Sequence, residues 1–321
     1  MDHVGMTVGE RYVLEALAGR GGMGSVYRAR DRVTGTHAAV KILRDETTSE
    51  HRERFIREAQ LMSELSHPAF VRCLGFGSDD ERPFLAMEWL EGMDLAQRLQ
   101  RGPLTTDETM RLIVRVAAAL GGAHARGIVH RDIKPSNLFL VGGDVDRAKV
   151  LDFGIAHVHR EGLAAMTRTG AAIGTPRYMA PEQARGNRDV DARSDVFSLG
   201  CVLFECLVGH PPFTGDNPIA VLMKILLEEA PRIGALREGA PAELDDLVAR
   251  MISKDPAVRP RDGLAVAAEL EAIGPIANLG PSATRERDSA VTVGEQRLVS
   301  VVVATTVVDA PSLPPLETAP T

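Results

Sequence analysis

Two hydrophobic periods divide this chain near Gly92. Before it, short apolar runs separated by turn residues read as strands: Tyr12 to Leu17, Ser25 to Arg30, His37 to Leu43 and Phe84 to Trp89. One segment breaks that pattern. His51 to Leu65 is charged, lacks Gly and Pro, and carries Phe55, Ile56, Ala59, Leu61, Met62 and Leu65 at near-helical spacing, with Pro68 beyond its end. After Gly92 the helical period takes over. It runs through Thr106 to Gly121 behind an N-cap at Thr105 or Thr106, then Asp195 to Val208, Pro218 to Glu229, Ala242 to Met251 and Leu264 to Ala272. Elements in this order predict an α+β, bilobal molecule: a small β-rich lobe, then a large helical one.

The 321 residues suffice for both lobes and a tail. From about Gly274 the composition turns to Pro, Ala, Thr and Val, and Pro311, Pro314, Pro315 and Pro320 oppose packed structure. The net charge of -7 offers no global attraction to nucleic acid or an anionic membrane surface. Cys73, Cys201 and Cys206 are odd in number and form no C-x-x-C pair, which suits buried thiols in a reducing compartment. The N-terminus lacks a secretory pattern, and Leu298 to Val308 falls short of the roughly 20 residues of a membrane span. A cytoplasmic protein is the expectation.

Gly19-Arg20-Gly21-Gly22-Met23-Gly24-Ser25-Val26 places a G-x-G-x-x-G-x-V pattern between two strand candidates. Glycines let backbone N–H groups approach a phosphate closely. Alone, the pattern equally describes a flexible hairpin. Lys41 follows in the apolar run Ala38-Ala39-Val40, and Glu58 sits mid-helix. A lysine that grips phosphate oxygens needs an anion behind its flexible stem, and Glu58 is the candidate.

The downstream motifs give these residues meaning. His130-Arg131-Asp132-Ile133-Lys134-Pro135-Ser136-Asn137 is followed by Asp152-Phe153-Gly154, then Gly174-Thr175-Pro176-Arg177-Tyr178-Met179-Ala180-Pro181-Glu182, Ser194 to Gly200, and Arg259-Pro260. In content and order these resemble the eukaryotic-like protein kinase family, in its bacterial Ser/Thr branch. The resemblance implies a kinase domain over 11–273, with an N-lobe at about 11–87, a hinge at 88–92 and a C-lobe at 93–273. The tail 274–321 either lacks packed structure or opens a further domain.

The same resemblance implies ATP and Mg2+ as cofactors. Asp132 is placed to accept the proton of the attacking hydroxyl, and Lys134 to neutralise the moving phosphoryl group. Lys41, backed by Glu58, contacts the α- and β-phosphates. Asp152 and Asn137 hold metal through hard oxygens. Gly19, Gly21 and Gly24 cover the phosphates. Leu17, Val26, Ala39, Met87 and Phe139 surround the adenine, the Glu88 and Leu90 backbones meet its edge, and Asp94 is a ribose contact. His130, Asp195 and the pair Glu182 and Arg259 resemble structural positions. His157 and His159 read as solvated residues, not metal ligands.

Lys134 and Thr175 are of the Ser/Thr type, and Thr175 bridges Asp132 and Lys134 by resemblance. Arg131 before Asp132 resembles an arginine paired by an activation-segment phosphate, and Thr167 and Thr169 are the candidate phosphosites. The intact set Lys41, Asp132, Asn137 and Asp152 opposes an inactive scaffold. Ala180-Pro181-Glu182 opposes a small-molecule phosphotransferase. Expected partners are protein substrates with Ser/Thr hydroxyls, and a second copy of the kinase for autophosphorylation. No nucleic acid and no membrane span are expected.

Overall fold

Along β4 (His37–Leu43), Ala38, Val40 and Ile42 are buried while Ala39 and Lys41 point to the opposite face, as the two-residue period of a strand requires. The same alternation organises the whole first lobe. The computed structural model describes residues 3–20, 24–43, 48–65, 67–79, 82–152, 176–187, 189–276 and 279. Strands β1 (Thr7–Val8), β2 (Tyr12–Arg20), β3 (Gly24–Asp31), β4, β5 (Cys73–Asp79) and β6 (Arg82–Glu88) form an antiparallel sheet in the order β1-β2-β3-β4-β6-β5. One face packs Val8, Tyr12, Leu14, Tyr27, Ala29, Ala38, Val40, Ile42, Phe84 and Ala86 into a small separate core. On the other, Leu85 and Met87 join Phe55, Ala59 and Met62 of helix α1 (Ser49–Glu64) in the main core.

The strand β2 runs to Arg20 rather than stopping at Leu17, with Gly19 opposite Val26 and Arg20 opposite Ser25. Gly19 therefore belongs to the ladder, not to the turn the sequence suggested. Gly24 is dictated by packing: a β-carbon there would lie 2.2 Å from the Ile42 carbonyl oxygen. The β3–β4 hairpin is pinned by buried Asp31, which accepts from Arg11 Nε at 2.8 Å, Arg11 Nη2 at 2.7 Å, Val33 N and Thr34 Oγ1. These bonds, led by Arg11, hold the Asp31 carboxyl well below the usual carboxylate range.

The second lobe is helical around a three-stranded sheet of β7 (Gly92–Asp94), β8 (Leu138–Val141) and β9 (Ala148–Val150). Helix α2 (Leu95–Leu99) is capped by Asp94, and α3 (Thr106–His124) opens on a capping box. There Thr105 Oγ1 accepts from Glu108 N while Glu108 Oε2 accepts from Thr105 N. Then come α4 (Pro181–Ala184), α5 (Ala192–Val208), α6 (Pro218–Leu227), α7 (Ala242–Met251) and α8 (Gly263–Ile273). Asp191 caps α5, which thus begins three residues before Asp195, where its apolar run had suggested. The α3–α8 crossing is close because it uses glycine: a β-carbon on Gly263 would lie 2.3 Å from the Ala117 carbonyl oxygen.

The packed fold reaches past both ends of the expected 11–273 interval. Val8 is buried in the first lobe, and Leu279 is buried in the second. Leu279 N donates to Thr106 Oγ1 at 3.1 Å, and Arg237 Nη2 donates to the Leu279 carbonyl at 3.3 Å. The rest of the expected tail, from Gly280, lies outside the described residues. No helix among the described residues is long and apolar enough to cross a membrane.

Arg259 and Glu182 form a buried, two-pronged ion pair, Nη1–Oε1 at 2.8 Å and Nη2–Oε2 at 3.0 Å. Arg259 also donates to the Ser253, Arg193 and Lys254 carbonyls and lies over the Phe197 ring, so its five donors are satisfied. Glu182→Leu leaves that guanidinium without its anion in a dry site. The expected cost is about 3–5 kcal/mol, read as a lower urea midpoint at unchanged m-value. A loss under about 1 kcal/mol, the scale of an exposed pair, would contradict the burial argument.

Candidate active site

Two clusters of sequence-predicted residues meet between the lobes. The first is built by the turn after α3. Asp132 accepts from Lys134 Nζ at 2.6 Å and from Asn137 Nδ2 at 3.0 Å, both on Oδ2, and Asn137 Nδ2 also donates to the Asp132 carbonyl at 2.8 Å. With its amide nitrogen so engaged, Asn137 has its amide oxygen left as a hard ligand for a cation. Asn137 is nearly buried and its carbonyl accepts from Leu151 N at 2.8 Å, which fixes the turn against the chain entering Asp152.

The second cluster joins the lobes. Lys41 Nζ is 3.0 Å from Asp152 Oδ1 and 4.0 Å from Glu58 Oε1. Lys41 is thus closer to the candidate metal ligand than to the anion that sequence placed behind it. The two carboxylates differ for a physical reason. Glu58 shows 4% of its side chain to solvent and Asp152 42%. Burial pushes the Glu58 carboxyl up to about 7, and Lys41 at 4.0 Å only partly offsets it. Packing opposes the charge on Asp152 too, but Lys41 outweighs it and holds that carboxyl below its usual value. Burial alone would lower the Lys41 ammonium; Asp152 and then Glu58 leave it raised.

Strand register supplies a face toward this cluster. Val26 is opposite Lys41, Lys41 opposite Leu85, and Ala39 opposite Met87, so all five share one side of the sheet. Met87 is buried, Val26 and Ala39 are half-buried, and Leu17 is 38% exposed. Across the hinge, Asp94 pairs with Phe139 in the β7–β8 ladder. Asp94 Oδ1 caps α2 through Gln97 N at 2.8 Å, so the candidate ribose contact also has a structural duty. Leu90 is half-buried. Gly21, Thr175, Thr167, Thr169, Phe153, His157 and His159 lie outside the described residues.

Supporting residues were missed because their partners are far apart in the chain. The Glu88 side chain accepts from Lys149 Nζ at 2.6 Å and from Arg72 N at 2.8 Å, fastening the hinge to β9. His124 Nε2 lies 2.9 Å from Asp195 Oδ2, and His124 Nδ1 accepts from Gly263 N. Gln183 Nε2 donates to the Arg131 carbonyl at 2.9 Å. Its one local signal is its place three residues into a proline-started helix, where Gln often reaches back to the cap. Asp195 supports the loop backbone as expected, accepting from the backbones of His130 and Arg131; His130 Nε2 lies 2.9 Å from the Leu151 carbonyl, while Phe153, the expected neighbour of His130, lies outside the described residues.

The sequence matches the protein kinase domain family over residues 12–269. It is 41% identical to the serine/threonine-protein kinase pkn3 of Myxococcus xanthus over 85% of this chain and 51% of that one. It is 39% identical to PknB of Mycobacterium tuberculosis over 81% of this chain and 42% of that one. The chain therefore spans about half or less of the length of these relatives. The crystal structure of the Mycobacterium tuberculosis PknI kinase domain superimposes with a TM-score of 0.65, at 27% identity, covering 84% of this chain and 97% of that one. The chain belongs to the protein kinase domain family. Within it the domain is of the bacterial serine/threonine type, which uses ATP and Mg2+.

The Glu58 carboxyl gives a signed pH test. Its folded value, about 7, lies above the unfolded 4.5, so protonated Glu58 stabilises the fold. That contribution is complete below the unfolded value and is lost as pH rises through about 7. Glu58→Gln, which cannot ionise, should gain melting temperature relative to wild type as pH rises from about 5 to 8, while losing activity. A gap that shrinks with pH would mean that pairing with Lys41 outweighs burial.

Proposed function

We propose that this chain is an ATP-dependent serine/threonine protein kinase that transfers the γ-phosphate to protein hydroxyls and activates itself on its own activation segment. It acts in cytoplasmic signal transduction, and its kinase domain occupies 11–273. The observation that carries this reading is the double convergence of Lys134 and Asn137 on Asp132 and of Lys41 on Asp152.

In this reading Asp132 takes the proton of the attacking serine or threonine hydroxyl. Lys134 beside it balances charge on the transferring group, joined by Thr175. Asp152 and the Asn137 amide oxygen are the hard donors for magnesium, which when bound neutralises phosphate charge. Lys41 holds nucleotide phosphate, with Glu58 as its rear anchor. Gly19, Gly21 and Gly24 lie over the phosphates, and Leu17, Val26, Ala39, Met87 and Phe139 enclose the adenine between them. The Glu88 and Leu90 backbones read its edge, and Asp94 the ribose. Separate duties follow for the two aspartates. Asp152→Asn should weaken nucleotide binding in magnesium by about tenfold or more, whereas Asp132→Asn should abolish transfer with affinity within about twofold. Equal loss of affinity in both would contradict the division.

Thr167 and Thr169 receive the activating phosphates, delivered by a second copy of the chain. Arg131, next to the proton acceptor, is the cation that a phosphate would engage. The Thr167→Ala, Thr169→Ala double variant should bind ATP normally but phosphorylate an added protein on the order of tenfold more slowly. Phosphatase treatment of wild type should copy the defect, and preincubation with ATP and magnesium should repair it. Wild-type rates in the double variant would place the switch elsewhere.

A further inference from the structure

Arg131 adopts a left-handed backbone, φ +69, which a residue with a β-carbon keeps only where its surroundings over-determine it. Those surroundings are visible. Its N–H donates to Asp195 Oδ1 at 2.7 Å, and its carbonyl accepts from Gln183 Nε2 at 2.9 Å. The second contact matters for Asp132. The Arg131 carbonyl and the Asp132 N–H belong to one rigid peptide plane. His130 Nδ1 accepts from the Asp132 N–H end of that plane at 3.3 Å, and Gln183 holds the carbonyl end. Turning the plane would turn the Asp132 backbone and with it the carboxylate that Lys134 and Asn137 meet.

Gln183 has a second engagement. Its Oε1 accepts from Ala180 N at 3.0 Å, closing the first turn of α4. One amide thus joins the Ala180-Pro181-Glu182 end of the activation segment to the catalytic loop, using its acceptor on one and its donor on the other. We propose that Gln183 is a positioning residue for phosphoryl transfer: it fixes the peptide plane that aims Asp132, in addition to capping α4. The proposal rests on the reading of Asp132 as the proton acceptor.

The amide's two ends can be separated by substitution. Gln183→Glu keeps an acceptor for Ala180 N but turns an acceptor toward the Arg131 carbonyl, so it spares the cap and breaks the link to the loop. Gln183→Met keeps the length and removes both bonds. Each protein is preincubated with ATP and magnesium, then assayed with casein as acceptor, well below the lowest melting temperature of the set. Fluorescent-nucleotide affinity is measured on the same samples. A misaimed catalytic group lowers kcat and leaves nucleotide binding alone, so kcat should fall about tenfold in both variants, with nucleotide affinity within about twofold. A Gln183→Glu enzyme with kcat within about twofold of wild type would reduce Gln183 to a helix cap. A fall in kcat matched by an equal fall in nucleotide affinity would make its role general packing, and would equally overturn the proposal. If Gln183→Met does not fold, Gln183→Glu, which keeps the cap, decides the matter. Asp132→Asn, run in parallel, separates the two levels: transfer surviving in that variant would refute the reading of Asp132 itself.

Discussion

The geometry of the catalytic loop depends on one buried carboxylate. Asp195, inaccessible to solvent on α5, accepts from the backbone N–H groups of His130 and Arg131 at 2.7 Å each. It also faces His124 Nε2 at 2.9 Å. Because His124 Nδ1 accepts from Gly263 N, its proton sits on Nε2 and is donated to Asp195. Asp195 and His124 together therefore tie the end of α3 and the start of α8 to α5 and to the loop. Two buried N–H groups left without acceptors would cost about 1–3 kcal/mol each, and that penalty keeps Arg131 in its left-handed conformation. Asp132, Lys134 and Asn137 follow within six residues, so their convergence inherits its precision from this anchor.

The cleft shows the opposite economy. Lys41 stands between a buried glutamate and a half-exposed aspartate and lies closer to the second. Burying Glu58 costs stability at neutral pH, and a neutral residue would pack there more cheaply. When ionised, Glu58 gives the Lys41 ammonium a second anion at 4.0 Å, beside Asp152 at 3.0 Å. Functional sites are where such local disfavour accumulates.

Much of this was legible in the sequence because the informative signals were local. The strand period in Ala38 to Ile42, the N-cap at Thr105 or Thr106, and the ordered motifs around Asp132 and Asp152 each need only a few neighbouring residues; the reciprocal bond from Glu108 showed only in the structure. Boundaries slipped where a signal did not reach the ends of its element: β2 ran on through Gly19 because pairing with β3 continued, and α5 began at Ala192, behind its cap Asp191, rather than at its apolar run. The short strands β1, β7 and β9 and the five-residue α2 carry too few residues for a period to show. His124, Lys149, Gln183 and Leu279 stayed hidden for another reason. Each acts through partners brought near only by the fold, such as Gly263 for His124 and Thr106 for Leu279.

The central claim is that Asp195 holds the catalytic loop in shape, and amide hydrogen exchange across Ile128 to Lys134 tests it most directly. Asp195→Asn keeps the size of the side chain but replaces one of its two oxygens, each of which accepts from one backbone N–H, by an amide N–H that faces a donor. The account predicts that at least one of the His130 and Arg131 amides loses protection in this variant, and that phosphoryl transfer falls with it, while the core amides of α5 stay protected. Unchanged protection at His130 and Arg131 would contradict it.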